Sequence, residues 1–138
     1  MPKLYMLIGV PGAGKSTWIS NQEWAKDCSI VSSDRFIDAE AERLGKTYNE
    51  VFDGYVKIAT KLMENQVAIA QANNKDVIWD QTNVSVKSRK AKLAMLPEYE
   101  KIAVFFRTPE PNELMTRLDS RPGKHIPWSV MTSMIGSL

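Results

Sequence analysis

Residues 7–18, with the sequence LIGVPGAGKSTW, decide the fold of this chain because they contain a phosphate-binding loop. Gly9, Gly14, Lys15 and Ser16 match the G-x-x-x-x-G-K-[ST] pattern of such loops. Glycines let backbone N–H groups approach phosphate oxygens, and the helix that follows adds the positive end of its dipole. The apolar run before the loop, KLYMLIG, is typical of a strand buried on both faces of a sheet. The stretch therefore predicts a strand, a phosphate loop and a helix in succession.

The residues of this loop are expected to bind ATP together with Mg²⁺. Lys15 is predicted to reach the β- and γ-phosphates and to take part in catalysis, and the Ser16 hydroxyl is predicted to ligate the metal. A chance glycine-rich turn is the alternative, which the order of strand, loop and helix disfavours. The predicted ATP-binding residues of the loop are Gly9, Pro11, Gly12, Ala13, Gly14, Lys15, Ser16 and Thr17.

Short apolar runs and helical patterns alternate along the whole chain. Strands are predicted at residues 3–9, 28–33, 76–80 and 101–107, and helices at about 15–24, 35–44, 48–72, 85–96, 111–119 and from 127 onward. This alternation predicts an α/β fold with a mostly parallel sheet. Ligands in such folds bind beyond the carboxyl ends of the strands. Gly9, Asp34, Asp80 and Arg107 are therefore predicted to lie at one edge of the sheet.

Length and composition favour a single globular domain over residues 1–138. Hydrophobic residues make up 43% of the chain and charged residues 25%, which is ordinary for a globular protein. No run of 18 apolar residues occurs, so no membrane span is expected. Cys28 is the only cysteine, which excludes an internal disulfide and favours the reducing cytoplasm.

The charge of the chain is weak evidence for a polyanionic partner. The formal net charge is only +2. Residues 86–138 carry 9 Lys and Arg against 5 Asp and Glu, so this part is basic. An excess of this size is compatible with phosphate binding and equally with solvated helix faces.

Two aspartates follow predicted strands and are candidates for the reaction centre. Asp34 lies across from the phosphate loop, where it can accept a proton from an attacking hydroxyl, a role that kinases give to an aspartate. The alternative role of Asp34 is to cap a helix over Arg35–Leu44. Asp80 ends the third strand, a place that often holds the metal directly or through water. Either aspartate is thus a candidate partner of Ser16 at Mg²⁺.

Polar residues after Asp80 are candidates for binding the second substrate. Gln81, Thr82 and Asn83 carry groups that can donate hydrogen bonds to a substrate phosphate or sugar. The alternative is ordinary turn chemistry, because Asn and Asp favour turns.

A basic segment near the C-terminal end, RLDSRPGKH, is a candidate lid over the phosphates. Arg117 and Arg121 are four residues apart, so they are predicted to share one helix face before the Pro-Gly break. An arginine that meets the γ-phosphate in the transition state raises the rate by roughly 10³–10⁵. The alternative is a helix end whose positive charges stabilise the helix dipole. His125 is the only histidine and cannot form a metal site alone.

Taken together, these segments resemble the 5′-hydroxyl polynucleotide kinases of bacteriophages, over nearly the whole chain. The segments that carry the resemblance are IGVPGAGKSTW, VSSD, DQTNVSVKSR, RLDSRPGKHIP and SVMTSM. The resemblance implies a P-loop NTPase fold of the adenylate-kinase-like type. Such a fold is a three-layer α/β sandwich with a small parallel sheet of about four strands and a helical lid.

The resemblance also implies roles for individual residues. Asp34 is implied as the general base, and Arg117 and Arg121 as contacts of the ATP phosphates, with Arg121 also catalytic. The implied substrate-binding residues are Asp34, Arg35, Asp80, Thr82, Asn83 and Arg89. The implied acceptor is a 5′ end of DNA or RNA, and the implied location is the host cytoplasm if the protein is phage-encoded.

The chain departs from the family pattern in three places. The family has an arginine three residues after the aspartate, where this chain has Ile37, and Arg35 points to a different side of the helix. DQTN carries one residue more than the family's D-T-N. No D-x-D-G-T stretch of a phosphatase domain occurs, so kinase activity alone is expected.

Three functions are compatible with these residues. The first is transfer of the γ-phosphate of ATP to the 5′-hydroxyl of DNA or RNA. The second is a kinase for a small molecule or nucleoside, which the isoleucine at position 37 and the low net charge favour. The third is a nucleotide-dependent switch, although the chain lacks an N-K-x-D segment for reading guanine. The preference between DNA and RNA, the best nucleotide donor and the oligomeric state stay open.

Overall fold

A computed structural model describes residues 1–138, and its centre is a parallel sheet of four strands. The strands are β1 (Lys3–Ile8), β2 (Ser29–Val31), β3 (Val77–Trp79) and β4 (Glu100–Phe105). Their order across the sheet is β2–β3–β1–β4, and each neighbouring pair is parallel. The predicted α/β fold with about four parallel strands is therefore confirmed.

Six α-helices connect or follow the strands. They are α1 (Lys15–Ser20), α2 (Ser33–Leu44), α3 (Tyr48–Ala72), α4 (Val86–Met95), α5 (Pro111–Asp119) and α6 (Trp128–Ser137). The Thr47 side chain begins α3 in a capping box with Glu50, and Ser85 caps α4 by accepting a hydrogen bond from the Ser88 N–H. The helix predicted over residues 85–96 is therefore present as α4, which begins directly after Ser85.

The predicted helix over residues 15–24 is wrong in its second half. Helix α1 ends at Ser20, and a 3₁₀ helix over Glu23–Asp27 follows it. The Trp24 ring packs there against Tyr5, with 4.6 Å between ring centroids, and against Trp18 at 5.8 Å. This aromatic packing on one face of the sheet favours the turn over a continued helix.

Side chains of the sheet alternate between two packed faces, which makes the fold a three-layer sandwich. On one face Leu4, Met6 and Trp79 pack against Met63 and Val67 of α3. On the opposite face Leu7 and Ile78 pack against Ile19 of α1 and against Ala25. A third cluster joins Val10 of the phosphate loop to Leu114 of α5 and Met131 of α6. None of the helices has the length and hydropathy that a membrane span requires.

Candidate active site

One large cleft opens at the edge of the sheet where the strands have their carboxyl ends. Its volume is about 1860 Å³, compared with roughly 300–1,000 Å³ for a site that holds one small ligand. The predicted site residues that line it are Pro11, Gly12, Ala13, Gly14, Lys15, Ser16, Thr17, Asp34, Arg35, Asp80, Thr82, Arg117 and Arg121. The cleft therefore has room for a nucleotide and an acceptor side by side.

The phosphate loop leads from β1 into α1 and needs glycine at three positions, one of them Gly12, which has a φ of 84°. Gly14, the N-cap of α1, has a φ of 102°, a conformation that L side chains rarely adopt. At Gly9, a Cβ atom would lie 2.8 Å from the Phe106 Cβ, which is too close. The Gly9 N–H donates to the Thr82 carbonyl at 3.0 Å, so the loop entry is tied to the segment after β3.

The Lys15 ammonium lies inside this loop. It donates to the carbonyl oxygens of Gly9 at 2.7 Å and Val10 at 2.8 Å. Burial lowers the pKa of Lys15 to about 8, against the opposing attraction of Asp80. A lysine with this pKa gains protonation when an anion binds beside it.

The Asp34 carboxylate projects from the first turn of α2 into the cleft. Its Oδ1 accepts a hydrogen bond from the Tyr48 hydroxyl at 2.6 Å, and its Oδ2 accepts one from Lys124 Nζ at 3.0 Å. Burial, together with the hydrogen bond to Asp34, raises the pKa of Tyr48. Ser32 occupies the N-cap position of α2, so the alternative role of Asp34 as the cap of this helix is wrong. The carboxylate is instead held by side chains of the cleft.

A second carboxylate, Asp38, lies one turn further along α2 and also lines the cleft. Burial raises the pKa of Asp38, although the positive charge of Lys124 opposes this effect. This part of the cleft therefore holds both Asp34 and Asp38 close to Lys124.

Asp80 lies directly after β3, at the same edge of the sheet. Its backbone N–H donates to the Val31 carbonyl at 2.8 Å, and its carboxylate lies 3.6 Å from the Arg35 guanidinium. The Ser16 hydroxyl and the Asp80 carboxylate both line the cleft. Mg²⁺ prefers oxygen ligands and commonly uses one or two carboxylates together with substrate phosphates. This donor set fits Mg²⁺ held partly by a nucleotide, and no cluster of three or more His, Cys, Asp or Glu residues forms a metal cage.

Asn83 and Arg89, predicted to bind substrate, hold the protein's own backbone instead. Asn83 is 1% exposed, and its Nδ2 donates to the Leu7 carbonyl at 2.7 Å while its Oδ1 accepts from Lys92 Nζ. The Arg89 guanidinium donates to the carbonyls of Asn83 at 2.9 Å and Val84 at 3.0 Å. Neither side chain lines the cleft, and both hold backbone carbonyls around the turn after β3.

The two arginines of the predicted lid lie on different kinds of structure. Arg117, on α5, donates to the Gly12 carbonyl at 2.8 Å and pairs with Glu113 at 2.7 Å. Arg121 lies beyond the end of α5, so the prediction that both arginines share one helix face is wrong. The helix stops at Asp119, before Pro122 and Gly123, and both arginines nevertheless line the cleft.

Tyr48 and Lys124 also line the cleft, although no sequence motif identifies them. Tyr48 was visible only as the start of a helical pattern, and Lys124 only as one more basic residue of the segment RLDSRPGKH. Their meeting at Asp34 depends on how the segment after α5 folds over the start of α3. A basic residue beside a Pro-Gly turn was the only signal that pointed to Lys124.

The sequence profile of the AAA domain family matches residues 4–136 of this chain. Among solved structures, a chain of the Pnkp1/Rnl/Hen1 RNA repair complex is 29% identical, with a TM-score of 0.72 and coverage of 99% of this chain and 44% of that chain. A chain in a second structure of that complex is 28% identical, with a TM-score of 0.62 and coverage of 84% of this chain and 38% of that chain. The chain therefore spans less than half the length of these two relatives.

A gluconokinase from Sinorhizobium meliloti 1021 has the same fold at lower similarity. It is 16% identical, with a TM-score of 0.55 and coverage of 99% of this chain and 75% of that chain. Together with the phosphate loop and the parallel sheet, these likenesses identify the architecture as that of a P-loop α/β domain.

Proposed function

We propose that this chain, which belongs to the AAA domain family, transfers the γ-phosphate of ATP to the 5′-hydroxyl end of DNA or RNA. The observation that carries the proposal is the position of Asp34, whose carboxylate lines the same cleft as Lys15 and Ser16 of the phosphate loop. A base and a phosphate site in one cleft suit transfer of a phosphoryl group to a hydroxyl.

Each residue around the transferred group has a proposed role. Asp34 accepts the proton of the attacking hydroxyl, while Lys15 and Arg121 neutralise charge on the phosphoryl group. Arg117 holds the Gly12 carbonyl and so helps to shape the loop. Mg²⁺ bound by Ser16, with Asp80 or Asp34 directly or through water, would offset the negative charge of the phosphates. Catalysis by these groups consists mainly of positioning and electrostatic stabilisation.

The acceptor is proposed to bind between α2 and the segment after β3. Arg35, Asp80 and Thr82 line this part of the cleft, and the Arg35 side chain is 51% exposed. A guanidinium with this exposure can form bidentate hydrogen bonds with a phosphate. The 29% identity with a chain of an RNA repair complex supports a nucleic-acid acceptor. The single unpaired Cys28 is compatible with a cytoplasmic location.

A second candidate function is transfer to a small-molecule hydroxyl. The observation that favours it is Ile37, which is fully buried in the cluster formed with Ala41, Val51 and Ala59. The position three residues after Asp34 therefore offers no cation to an acceptor phosphate. Helix α2 would have to be repacked before a charged side chain could reach the cleft from this position.

A transfer assay with γ-labelled ATP separates the two functions. The acceptors are DNA and RNA oligonucleotides with 5′-hydroxyl ends, matched oligonucleotides with 5′-phosphate ends, nucleosides, and gluconate. The proposal predicts label on the 5′-hydroxyl oligonucleotides alone. Their KM should rise with salt, because contacts to a single strand contribute about −0.7 each to the slope of log affinity against log salt. Label on gluconate or free nucleosides, but on no oligonucleotide, would support the second function.

A further inference from the structure

Asp34, Tyr48 and Lys124 form one cluster of side chains, here called the Asp34 clamp. Both carboxylate oxygens of Asp34 are engaged, one by the Tyr48 hydroxyl at 2.6 Å and the other by Lys124 Nζ at 3.0 Å. The Lys124 ammonium also lies 4.3 Å from the centroid of the Tyr48 ring, within the range of a cation–π interaction. The three side chains therefore contact one another pairwise.

The backbone around Lys124 is fastened to the start of α3. The Asn49 N–H donates to the Gly123 carbonyl at 3.1 Å, and the Asn49 side chain donates to the His125 carbonyl at 3.1 Å. The His125 N–H donates in turn to Asn49 Oδ1 at 2.9 Å. The Lys124 side chain is only 17% exposed. The residues on either side of Lys124 are therefore joined to Asn49 by three hydrogen bonds, which hold Lys124 in place over Asp34.

We propose that Tyr48 and Lys124 are positioning residues for Asp34, and that Lys124 makes Asp34 selective for an acceptor hydroxyl over water. This inference rests on the proposed function. Tyr48 fixes the orientation of the carboxylate through Oδ1. Lys124 donates to Oδ2 and so competes with an attacking hydroxyl for this oxygen. An attacking group gains full access to Oδ2 only when the ammonium moves away from it.

An oligonucleotide acceptor and a water molecule differ in the binding energy that each can gain in the cleft. A bound oligonucleotide makes contacts elsewhere in the cleft, and that binding energy can offset displacement of Lys124 from Oδ2. A water molecule has no such contacts. In transfer, the acceptor oxygen bonds to the γ-phosphorus, the bond from this phosphorus to the bridging oxygen breaks, ADP leaves with the electron pair, and the hydroxyl proton passes to Asp34. Hydrolysis is the same step with water as the acceptor, and the clamp suppresses it.

The test compares ATP hydrolysis without any acceptor with transfer to a saturating 5′-hydroxyl oligonucleotide. Lys124→Ala should raise hydrolysis about tenfold, a barrier change of roughly 1.4 kcal/mol, and should raise the ratio of hydrolysis to transfer. Lys124→Arg should keep this ratio close to that of the wild type, because the charge remains. Tyr48→Phe should lower kcat for transfer several-fold and leave the KM for ATP unchanged.

Matched controls separate the clamp from a general disturbance. Lys57→Ala and Tyr55→Phe change the same two residue types at other positions, both on α3, and should leave the rates of hydrolysis and transfer unchanged. The double variant Asp34→Asn with Lys124→Ala should lose the increase in hydrolysis, because the increase requires Asp34. Thermal unfolding of each variant shows whether it is folded at the assay temperature.

Three results would overturn the clamp. Lys124→Ala could lower hydrolysis and transfer by the same factor, it could leave hydrolysis unchanged, or its increase in hydrolysis could persist without Asp34. Failure of the proposed function looks different, since the wild type would then label no oligonucleotide. Hydrolysis needs no oligonucleotide, so comparing the hydrolysis rate of Lys124→Ala with that of the wild type still tests whether Lys124 suppresses hydrolysis.

Discussion

At the scale of single residues, the site combines a carboxylate with a partly buried ammonium in one cleft. Asp34 accepts hydrogen bonds at both oxygens, and Lys15 donates to two carbonyls of its own loop. Both side chains are therefore held in defined positions. Each of them supports a prediction about one half of the proposed reaction.

Replacement of Asp34 by Asn should abolish transfer while ATP binding stays nearly intact. The amide cannot take up the proton of the hydroxyl, whereas the phosphate loop and Ser16 are unchanged. General bases of this kind contribute roughly 10²–10⁴ to a rate. Transfer rates and the Kd for ATP of the two proteins check the prediction. A variant with more than about a tenth of wild-type activity, an effect below roughly 1.4 kcal/mol, would remove Asp34 from its proposed role.

Affinity for ATP should fall as the pH rises above about 8. Burial lowers the pKa of Lys15 to about 8 in the protein alone, and bound phosphates raise it again by charge attraction. Below pH 8 the ammonium is already protonated, so affinity is constant. Above pH 8, binding takes up one proton and the affinity declines by at most tenfold per pH unit.

Calorimetric titrations with ATP between pH 7 and pH 9.5, in buffers of different ionisation enthalpy, measure this proton uptake. Lys15→Arg is the control, because a guanidinium stays protonated throughout this range. A wild-type affinity that is flat up to pH 9.5 would contradict the lowered pKa of Lys15.

At the scale of elements, sequence patterns predicted the long helix better than the short ones. Residues 48–72 were predicted as a helix and form α3 with those bounds, because apolar spacing and the Thr47 capping box agree. Helix α1 ends at Ser20, since aromatic packing of Trp24 overrides the local pattern. Asn83 was misread because a polar residue after a strand looks the same in sequence whether it faces a ligand or a buried carbonyl.

Replacement of Asn83 by Ala should destabilise the protein by about 1–3 kcal/mol, the cost of leaving buried polar groups unsatisfied. The variant leaves the Leu7 carbonyl and Lys92 without their Asn83 partners, and alanine is strained at a φ of 49°. Denaturant unfolding measures the change in the free energy of unfolding. Asn65→Ala, at an exposed position of α3, is the control. Equal stability of the two variants would show that the Asn83 network contributes little.

Replacement of Gly123 by Ala should release the segment that carries Lys124 from α3. A Cβ at this position would lie 2.6 Å from the Thr47 Cβ, and the φ of 69° disfavours any L side chain. Trypsin should then cut faster after Lys124. At Gly136, an added Cβ would meet nothing within 4 Å, so Gly136→Ala is the matched control. Equal cleavage rates in all three proteins would contradict the docking of this segment.

At the scale of the whole molecule, the strand order brings the site together. The phosphate loop follows β1, Asp34 lies just beyond β2, and Asp80 follows β3, so the parallel sheet places them at one edge. This convergence could be predicted from the alternation of strands and helices. The contact of Lys124 with Asp34 could not, because it joins segments 90 residues apart through a turn without regular structure.

The most direct test of the account is the position of the label after incubation with γ-labelled ATP, Mg²⁺ and a 5′-hydroxyl oligonucleotide. Digestion of the product to mononucleotides shows which nucleotide carries the phosphate. The proposed function predicts label exclusively on the 5′-terminal nucleotide as a 5′-phosphate, and no label on the same oligonucleotide when it already carries a 5′-phosphate. ATP that binds without labelling either oligonucleotide, or label elsewhere on the strand, would contradict it.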